Sequence, residues 1–298
     1  MTEEPRAQPH LDVSTYTRGI LAPGRMLTVV DLDRYPTPPE LDGLIDWFWS
    51  VRWDLPTGER YRQPLIATPA VNVSVGASPP PGDDPPLGPY PVAAVLDGVT
   101  TDVTVRTLSG SGWNFAAKTT TGGFGAWVDD VAALNDACLP ISQVLALDEG
   151  SLAVRVADLP FGADRAEPIV RELLRLLELR PAARVERARE VAAIAAAVEH
   201  DRTIRTVDQL ARLAGITART LQRMFTACAG VSPTWVIRRF RLIEAAEHVR
   251  DGVAPDWAAL AVDLGYADQS HLTRDFTATI GMSPGAYAAG NRDQHPTG

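Results

Sequence analysis

The chain has 298 residues, about twice the length of a typical single domain, with 45% hydrophobic and 22% charged residues and a formal net charge of -9. This composition excludes a largely disordered chain, and no apolar run approaches the ~18 residues that span a bilayer. Two cysteines, Cys138 and Cys228, are too few and too far apart for a disulfide framework or a zinc cluster, and they fit a reducing cytoplasm.

Residues 1–12 are polar, lack the apolar stretch of a secretory signal and read as a disordered tail. Residues 13–165 read as a β-rich domain. Arg25–Val30 and Trp47–Trp53 are short runs of β-branched and aromatic residues, and Ala70–Val75 and Asp102–Arg106 alternate apolar with polar positions. Between the first two, Pro38–Ile45 predicts a short helix. Seven prolines from Pro79 to Pro91 predict a surface loop. Gly122-Gly-Phe-Gly is a turn; it lacks the Lys-Ser/Thr ending of a phosphate loop. No histidine lies between residues 11 and 199, which removes most imidazole-based metal or acid–base chemistry from this stretch.

Beyond Trp127 the pattern turns helical. Asp129–Ala137 and Ala166–Leu179 are predicted helices, the first capped by Asp129-Asp130, the second with Ile169, Leu173, Leu176 and Leu177 on one face. Pro181 ends the latter, and Val185–Glu199 is an alanine-rich helix. Residues 166–200 therefore read as a helical linker, 201–290 as an all-α domain and 291–298 as a tail. The fold class is α+β, a β-rich domain followed by helices. The acidity is N-terminal: residues 200–290 hold ten arginines against nine acidic residues, and Lys118 is the sole lysine of the chain.

The all-α segment contains a repeat. Leu221-Gln-Arg-Met-Phe and Gly230-Val-Ser-Pro recur as Leu272-Thr-Arg-Asp-Phe and Gly281-Met-Ser-Pro, at an offset of 51 residues that also pairs Leu213 with Leu264. In the first copy Val207–Ala214 is an amphipathic helix with Leu210, Ala211 and Leu213 inward. Gly215 supplies the turn, and Thr217 caps a second helix, Ala218–Cys228. The second copy runs from Trp257 to Leu264, capped by Asp256, turns at Gly265-Tyr266 and restarts at Asp268. Arg219, Gln222, Arg223 and Thr226, then Gln269, Ser270, Thr273 and Arg274, face outward.

Two helices joined by a glycine turn, the second with a polar outer face, describe a helix-turn-helix. The chemistry suits a duplex: Arg takes guanine N7 and O6 with two donors, Gln bridges adenine, and Thr touches the thymine methyl. The connecting helix from Pro233 to Arg250 carries Arg238, Arg239 and Arg241, phosphate-contact candidates.

Residues 201–290, with Gly230-Val-Ser-Pro, Leu264-Gly-Tyr-Ala-Asp-Gln-Ser-His-Leu-Thr-Arg-Asp-Phe and Gly281-Met-Ser-Pro-Gly-Ala-Tyr, resemble the double helix-turn-helix DNA-binding domain of the AraC/XylS family of transcription regulators. The resemblance implies two recognition helices in successive major-groove segments, with Arg219, Gln222, Arg223, Gln269, Ser270, Thr273 and Arg274 as base readers. Leu272 replaces an aromatic often found there, and Asp275 puts negative charge beside the outward stripe. The N-terminal half, through Trp47-Phe-Trp-Ser-Val and Gln63-Pro-Leu-Ile-Ala-Thr-Pro, resembles barrel-like, cupin-like sensor domains. That resemblance implies effector binding or dimerisation.

Trp47, Trp49 and Trp53 share strand parity and so one face, opposite Phe48. With Trp113 and Arg62 they form a candidate effector site, for which barrel core is the plainer reading of the tryptophans. An exposed salt bridge is the plainer role for Arg52 and Arg62. No catalytic residue, metal or cofactor is expected. The expected activity is sequence-specific transcription regulation in the cytoplasm, with double-stranded DNA as partner and a small effector, RNA polymerase and a second copy as further partners. The alternatives are a barrel enzyme targeted by the helix-turn-helix domain and a non-sensing regulator acting through proteins.

Overall fold

The computed structural model describes residues 19–79, 89–101, 104–250 and 256–292. The 1–12 tail, residues 293–298 of the second tail, residues 80–88 of the Pro79–Pro91 loop, and Asp102 and Val103 of the strand predicted there lie outside the described residues.

A helix α1 (Pro23–Met26) occupies the start of the first predicted strand, because Pro23 presets the helical φ of its first turn. The strand itself, β1, is Val30–Tyr35. Pro38–Ile45 contributes one 3-10 turn, Pro39–Leu41. The remaining strands are β2 (Ile45–Asp54), β3 (Arg60–Leu65), β4 (Asn72–Ala77), β5 (Ala93–Asp97), β6 (Thr104–Ser109), β7 (Ser111–Thr119) and β8 (Cys138–Pro140). They form a six-stranded antiparallel sheet, β1-β2-β7-β4-β5-β8, and a two-stranded sheet, β3-β6. The barrel-like expectation is thus corrected: among the described residues the β-rich domain is two sheets and not a closed barrel. Pro64 lies within β3 and lacks an N–H, which suits a strand that is not central.

Alternation of side chains sorts the large sheet into two faces. Tyr35, Phe48, Val73, Val75, Ala94, Leu96, Phe115 and Ala117 line one, all buried. Phe115 stacks on Tyr35 at 5.5 Å, and the Tyr35 and Ser50 hydroxyls bond at 3.0 Å. The opposite face carries Trp47, Trp49 and Trp53. Trp53 joins Met26, Val30 and Tyr61 in a small separate core. It lies across Gly112, where an added Cβ would sit 2.3 Å from the indole ring. That close approach explains the glycine at position 112 of β7, the strand between β2 and β4.

Three helices follow the sheet: α2 (Glu149–Ala157), capped by Asp148, α3 (Ala166–Glu178) and α4 (Ala182–His200). The helix predicted at Asp129–Ala137 is instead a single 3-10 turn, Ala132–Leu134. Asp136 stands at φ 58°, where a helix cannot continue, and its carboxylate accepts from Thr101 N and Oγ1 at 2.7 and 2.5 Å. On α3, Ile169, Leu173 and Leu176 are buried as the periodicity predicts, while Leu177 is half-buried.

The C-terminal helices are α5 (Val207–Leu213), α6 (Ala218–Ala229), α7 (Pro233–Arg250), α8 (Trp257–Asp263), α9 (Gln269–Ile280) and α10 (Pro284–Arg292). One continuous core runs through both halves and includes Phe115, Trp127, Val191, Phe225, Phe240 and Phe276. Polar ties cross between the halves: Asn135 Nδ2 donates to Gly230 O at 2.8 Å, an Arg239 guanidinium N–H to Thr101 O at 2.5 Å, and Tyr287 Oη to Leu21 O at 2.9 Å.

Candidate nucleic-acid interface

Each helix-turn-helix is built from local hydrogen bonds that its sequence encodes. Thr206 and Gln209 form a reciprocal capping box at the start of α5. Gly215, at φ 67°, makes the turn, and Ile216 N reaches back to Ala211 O at 3.1 Å. Thr217 Oγ1 then accepts from Thr220 N at 3.1 Å and starts α6. In the second unit Asp256 caps α8, Gly265 turns at φ 80°, Tyr266 N reaches Ala261 O at 2.8 Å, and Asp268 caps α9 through His271 N at 2.8 Å. Both recognition helices end in a left-handed glycine, Gly230 and Gly281. Ser232 and Ser283 then accept from Trp235 N and Ala286 N and so cap α7 and α10.

The offset of 51 holds for α6 and α9 but not for the helices before them. Thr206 and Asp256, Leu210 and Leu260, and Gly215 and Gly265 correspond at an offset of 50. The second turn is one residue longer, at Ala267. Leu213 therefore matches Asp263, not Leu264. It is 62% exposed, which corrects the expectation that it points inward.

In α6, Leu221, Met224, Phe225, Cys228 and Ala229 are buried, and Arg219, Gln222, Arg223 and Thr226 are exposed. In α9, Leu272, Phe276 and Ile280 are buried; Gln269, Ser270 and Arg274 are exposed and Thr273 is half-buried. Asp275 does not face the outward stripe. It lies half-buried against α7, 4.0 Å from Arg238 and 3.9 Å from His271. Its charge and burial together raise the Tyr266 hydroxyl above its ordinary pKa, burial being the larger cause.

Of Arg238, Arg239 and Arg241 on α7, only Arg238 is exposed. Arg239 and Arg241 are 3% and 1% exposed, a correction to both as phosphate contacts. Arg239 stacks on Trp235 at 4.4 Å and bonds Thr101 O; Arg241 bonds Glu244 and the carbonyls of Val198, Asp201 and Ile204. α7 is buried nearly all round, Arg239, Arg241 and Glu244 included, so its orientation is set by what encloses it and cannot be read from its own period.

The candidate effector residues do not converge. Trp47 lies between Arg34 at 4.0 Å and Lys118 at 3.9 Å, Trp49 donates to Asn72 Oδ1 at 3.2 Å, and Arg62 is exposed on β3. Trp113 sits on the other face of the sheet, paired across from Arg52 and edge-on to Phe161 at 6.4 Å. Only Trp53 and Trp113 of the set border one cleft, of about 410 Å³, with Arg52, Tyr90 and Phe161. Phe161 and Tyr90 had no sequence signal, since each is a lone aromatic in a loop. As the plainer reading holds, Arg52 pairs with Asp31 at 2.8 Å in an exposed salt bridge.

No group of three metal-ligating side chains occurs among the described residues. Cys228 is buried, and burial raises its thiol pKa. Cys138 is half-buried, and burial followed by the Asp97 carboxylate pushes it up to about 12. No helix among the described residues is long and apolar enough to cross a membrane.

Residues 210–290 match the family described as Helix-turn-helix domain, and residues 33–140 match a Domain of unknown function (DUF6597). The chain is 38% identical over 82 residues to a protein named as an AraC-like transcription regulator of Streptomyces antibioticus, covering 28% of this chain and 27% of that one. A protein of the same name from Streptomyces lividans is 36% identical over 92 residues, covering 31% and 28%. The chain thus spans little more than a quarter of the length of either relative. Among solved structures, the DNA-binding domain of AdpA in complex with a target DNA is 29% identical, covering 37% of this chain and 98% of that one, with a TM-score of 0.32. ToxT from Vibrio cholerae is 10% identical over 88% and 98%, with a TM-score of 0.40.

Proposed function

From the likeness of residues 210–290 to a helix-turn-helix family and to AraC-like regulators, we infer that this chain is a sequence-specific DNA-binding transcription regulator of the AraC/XylS family. The observation that supports this reading most is the pair of capped helix-turn-helix units, each leaving arginine and glutamine side chains exposed on its second helix. Arg219, Gln222 and Arg223 read one major-groove segment, and Gln269, Ser270, Thr273 and Arg274 the next. Arg238 holds a phosphate. The mechanism is stoichiometric binding, without a reaction step. Domain division lies near residue 200, and the site of action is the cytoplasm.

Selection of bound sequences from a random duplex pool by the full chain, at two salt concentrations, tests the reading. With the selected operator, Arg223→Ala is expected to cost about 1–3 kcal/mol at one base pair and to flatten preference there, whereas Arg238→Ala weakens all sequences alike and lowers the salt slope by about one. Equal loss at every base position for Arg223→Ala would remove it from base reading.

The N-terminal domain is the sensing half of the same proposal. The cleft at Trp53 and Trp113 supports a small effector with an apolar part and a negative group, because Trp53, Trp113, Tyr90 and Phe161 line it together with Arg52. A metabolite that raises the unfolding midpoint of the parent chain and not of Trp113→Ala would support that cleft; equal shifts in both would place binding elsewhere. The exposed Leu179 just beyond α3 is the apolar surface that supports pairing with a second copy. RNA polymerase is the further partner that transcription regulation requires.

A further inference from the structure

A cleft of about 790 Å³ separates the first recognition helix from the N-terminal domain. Arg219, Gln222 and Arg223 of α6 form one wall, and Asp129 and Asp130 the other. Both carboxylates are exposed. Asp129 pairs with Arg184; Asp130 forms no ion pair among the described residues, and one of its oxygens accepts from Ala132 N at 3.0 Å. Their position is held by the segment that carries them. Val131 N donates to Ala227 O at 3.3 Å, Asn135 Nδ2 to Gly230 O, and Gly125 abuts Cys228 so closely that a Cβ would fall 2.7 Å from its Cα. The N-terminal domain therefore grips the buried C-terminal half of α6 and places two acidic groups in the cleft that Arg219, Gln222 and Arg223 also line.

A helix seated in the major groove has a phosphate strand along each flank. The arginines and the positive helix N-terminus attract that strand, whereas carboxylates within a Debye length repel it. We propose that the Asp129–Asp130 segment is a DNA-facing electrostatic brake, by which the docked N-terminal domain lowers the affinity of the first recognition helix for a duplex. The proposal rests on the DNA-binding reading above and extends it to a surface outside the helix-turn-helix domain. Because the brake is charge acting across solvent, it is strongest in dilute salt and fades as salt rises. It falls on the first unit, beside whose helix these groups stand.

The test uses the full chain and its selected operator. Asp130→Asn keeps the side-chain oxygen that accepts from Ala132 N, and Asp129→Asn keeps an amide oxygen for Arg184, so the double variant Asp129→Asn/Asp130→Asn removes two charges and turns the Asp129–Arg184 ion pair into a hydrogen bond to a neutral acceptor. Expected is an operator affinity about fivefold tighter than the parent at about 50 mM salt, with the ratio approaching one at several-fold higher salt. Glu59→Gln/Glu178→Gln, at two exposed acids on the β2–β3 loop and at the end of α3, is the control for the same change in net charge. Unchanged or weaker binding by the Asp129/Asp130 double variant overturns the proposal, as does an equal gain in the control. A parent chain that selects no sequence removes the DNA-binding premise and this proposal with it; one that binds but shows no gain on neutralisation overturns the proposal alone. Matching unfolding midpoints for parent and variants confirm that all are folded.

Discussion

Replacing Arg241 by alanine is expected to lower stability by about 3–5 kcal/mol, read as a shift in the urea midpoint of unfolding at unchanged slope. The guanidinium is 1% exposed. It donates to Glu244 at 2.9 Å and to the carbonyls of Val198, Asp201 and Ile204 at 3.1, 2.8 and 3.2 Å. Those carbonyls lie at the C-terminal end of α4 and in the segment leading to α5, where the last carbonyls of a helix have no intrahelical donor. Arg241 is thus a cap supplied from another element. Its loss leaves Glu244, itself 5% exposed, with Arg202 as its remaining cation at 2.5 Å. The large effect comes from what is left behind: three carbonyls lose their donor, and the buried Glu244 keeps only a cation that is itself exposed. Arg241→Met/Glu244→Met should recover much of the loss, since it removes both charges together. A single-variant loss below about 1 kcal/mol would show that water takes over the carbonyls and the carboxylate.

Trp127→Ala is expected to cost about 3–5 kcal/mol, and Trp127→Phe distinctly less. The indole is fully buried, lies 5.9 Å from Phe124, and donates Nε1–H to Leu173 O on α3 at 3.0 Å. Alanine removes the ring contacts and opens a cavity between the Gly123–Ala126 turn and α3. Phenylalanine keeps most of the volume and forfeits the hydrogen bond. The same turn meets α4 at Gly122, where a Cβ would lie 2.4 Å from Val191, and α6 at Gly125. Trp127→Ala should therefore also loosen the attachment of the N-terminal domain to the first recognition helix. Thermal unfolding of the three chains checks the ranking; equal losses for alanine and phenylalanine would assign the effect to the hydrogen bond and not to packing.

These two residues differ in what could be read beforehand. Trp127 was legible as a core aromatic, but its place where α3, α4 and α6 converge was not. Arg241 reads, with Arg238 and Arg239, as an arginine on the helix that follows a recognition helix, a pattern that predicts a phosphate contact. Only Arg238 fits that prediction. In the β-rich half, β2 and β4 showed their alternation, whereas β7 did not, because its Gly112 answers to Trp53. The expectation of a barrel rested on resemblance. Two sheets formed because β3 and β6 pair with each other alone among the described residues.

From sequence alone came the duplicated unit, its caps, its glycine turns and the exposed positions of both recognition helices. These depend on bonds between residues three to five apart, so neighbours in the chain suffice to specify them. Tertiary structure decided that Arg239 and Arg241 of α7 are buried, and that Asp129 and Asp130 line one cleft with Arg219 and Arg223. Each of those depends on elements distant in the chain. Burial and electrostatic field are properties of the space around a residue, which folding assembles from every segment that enters it.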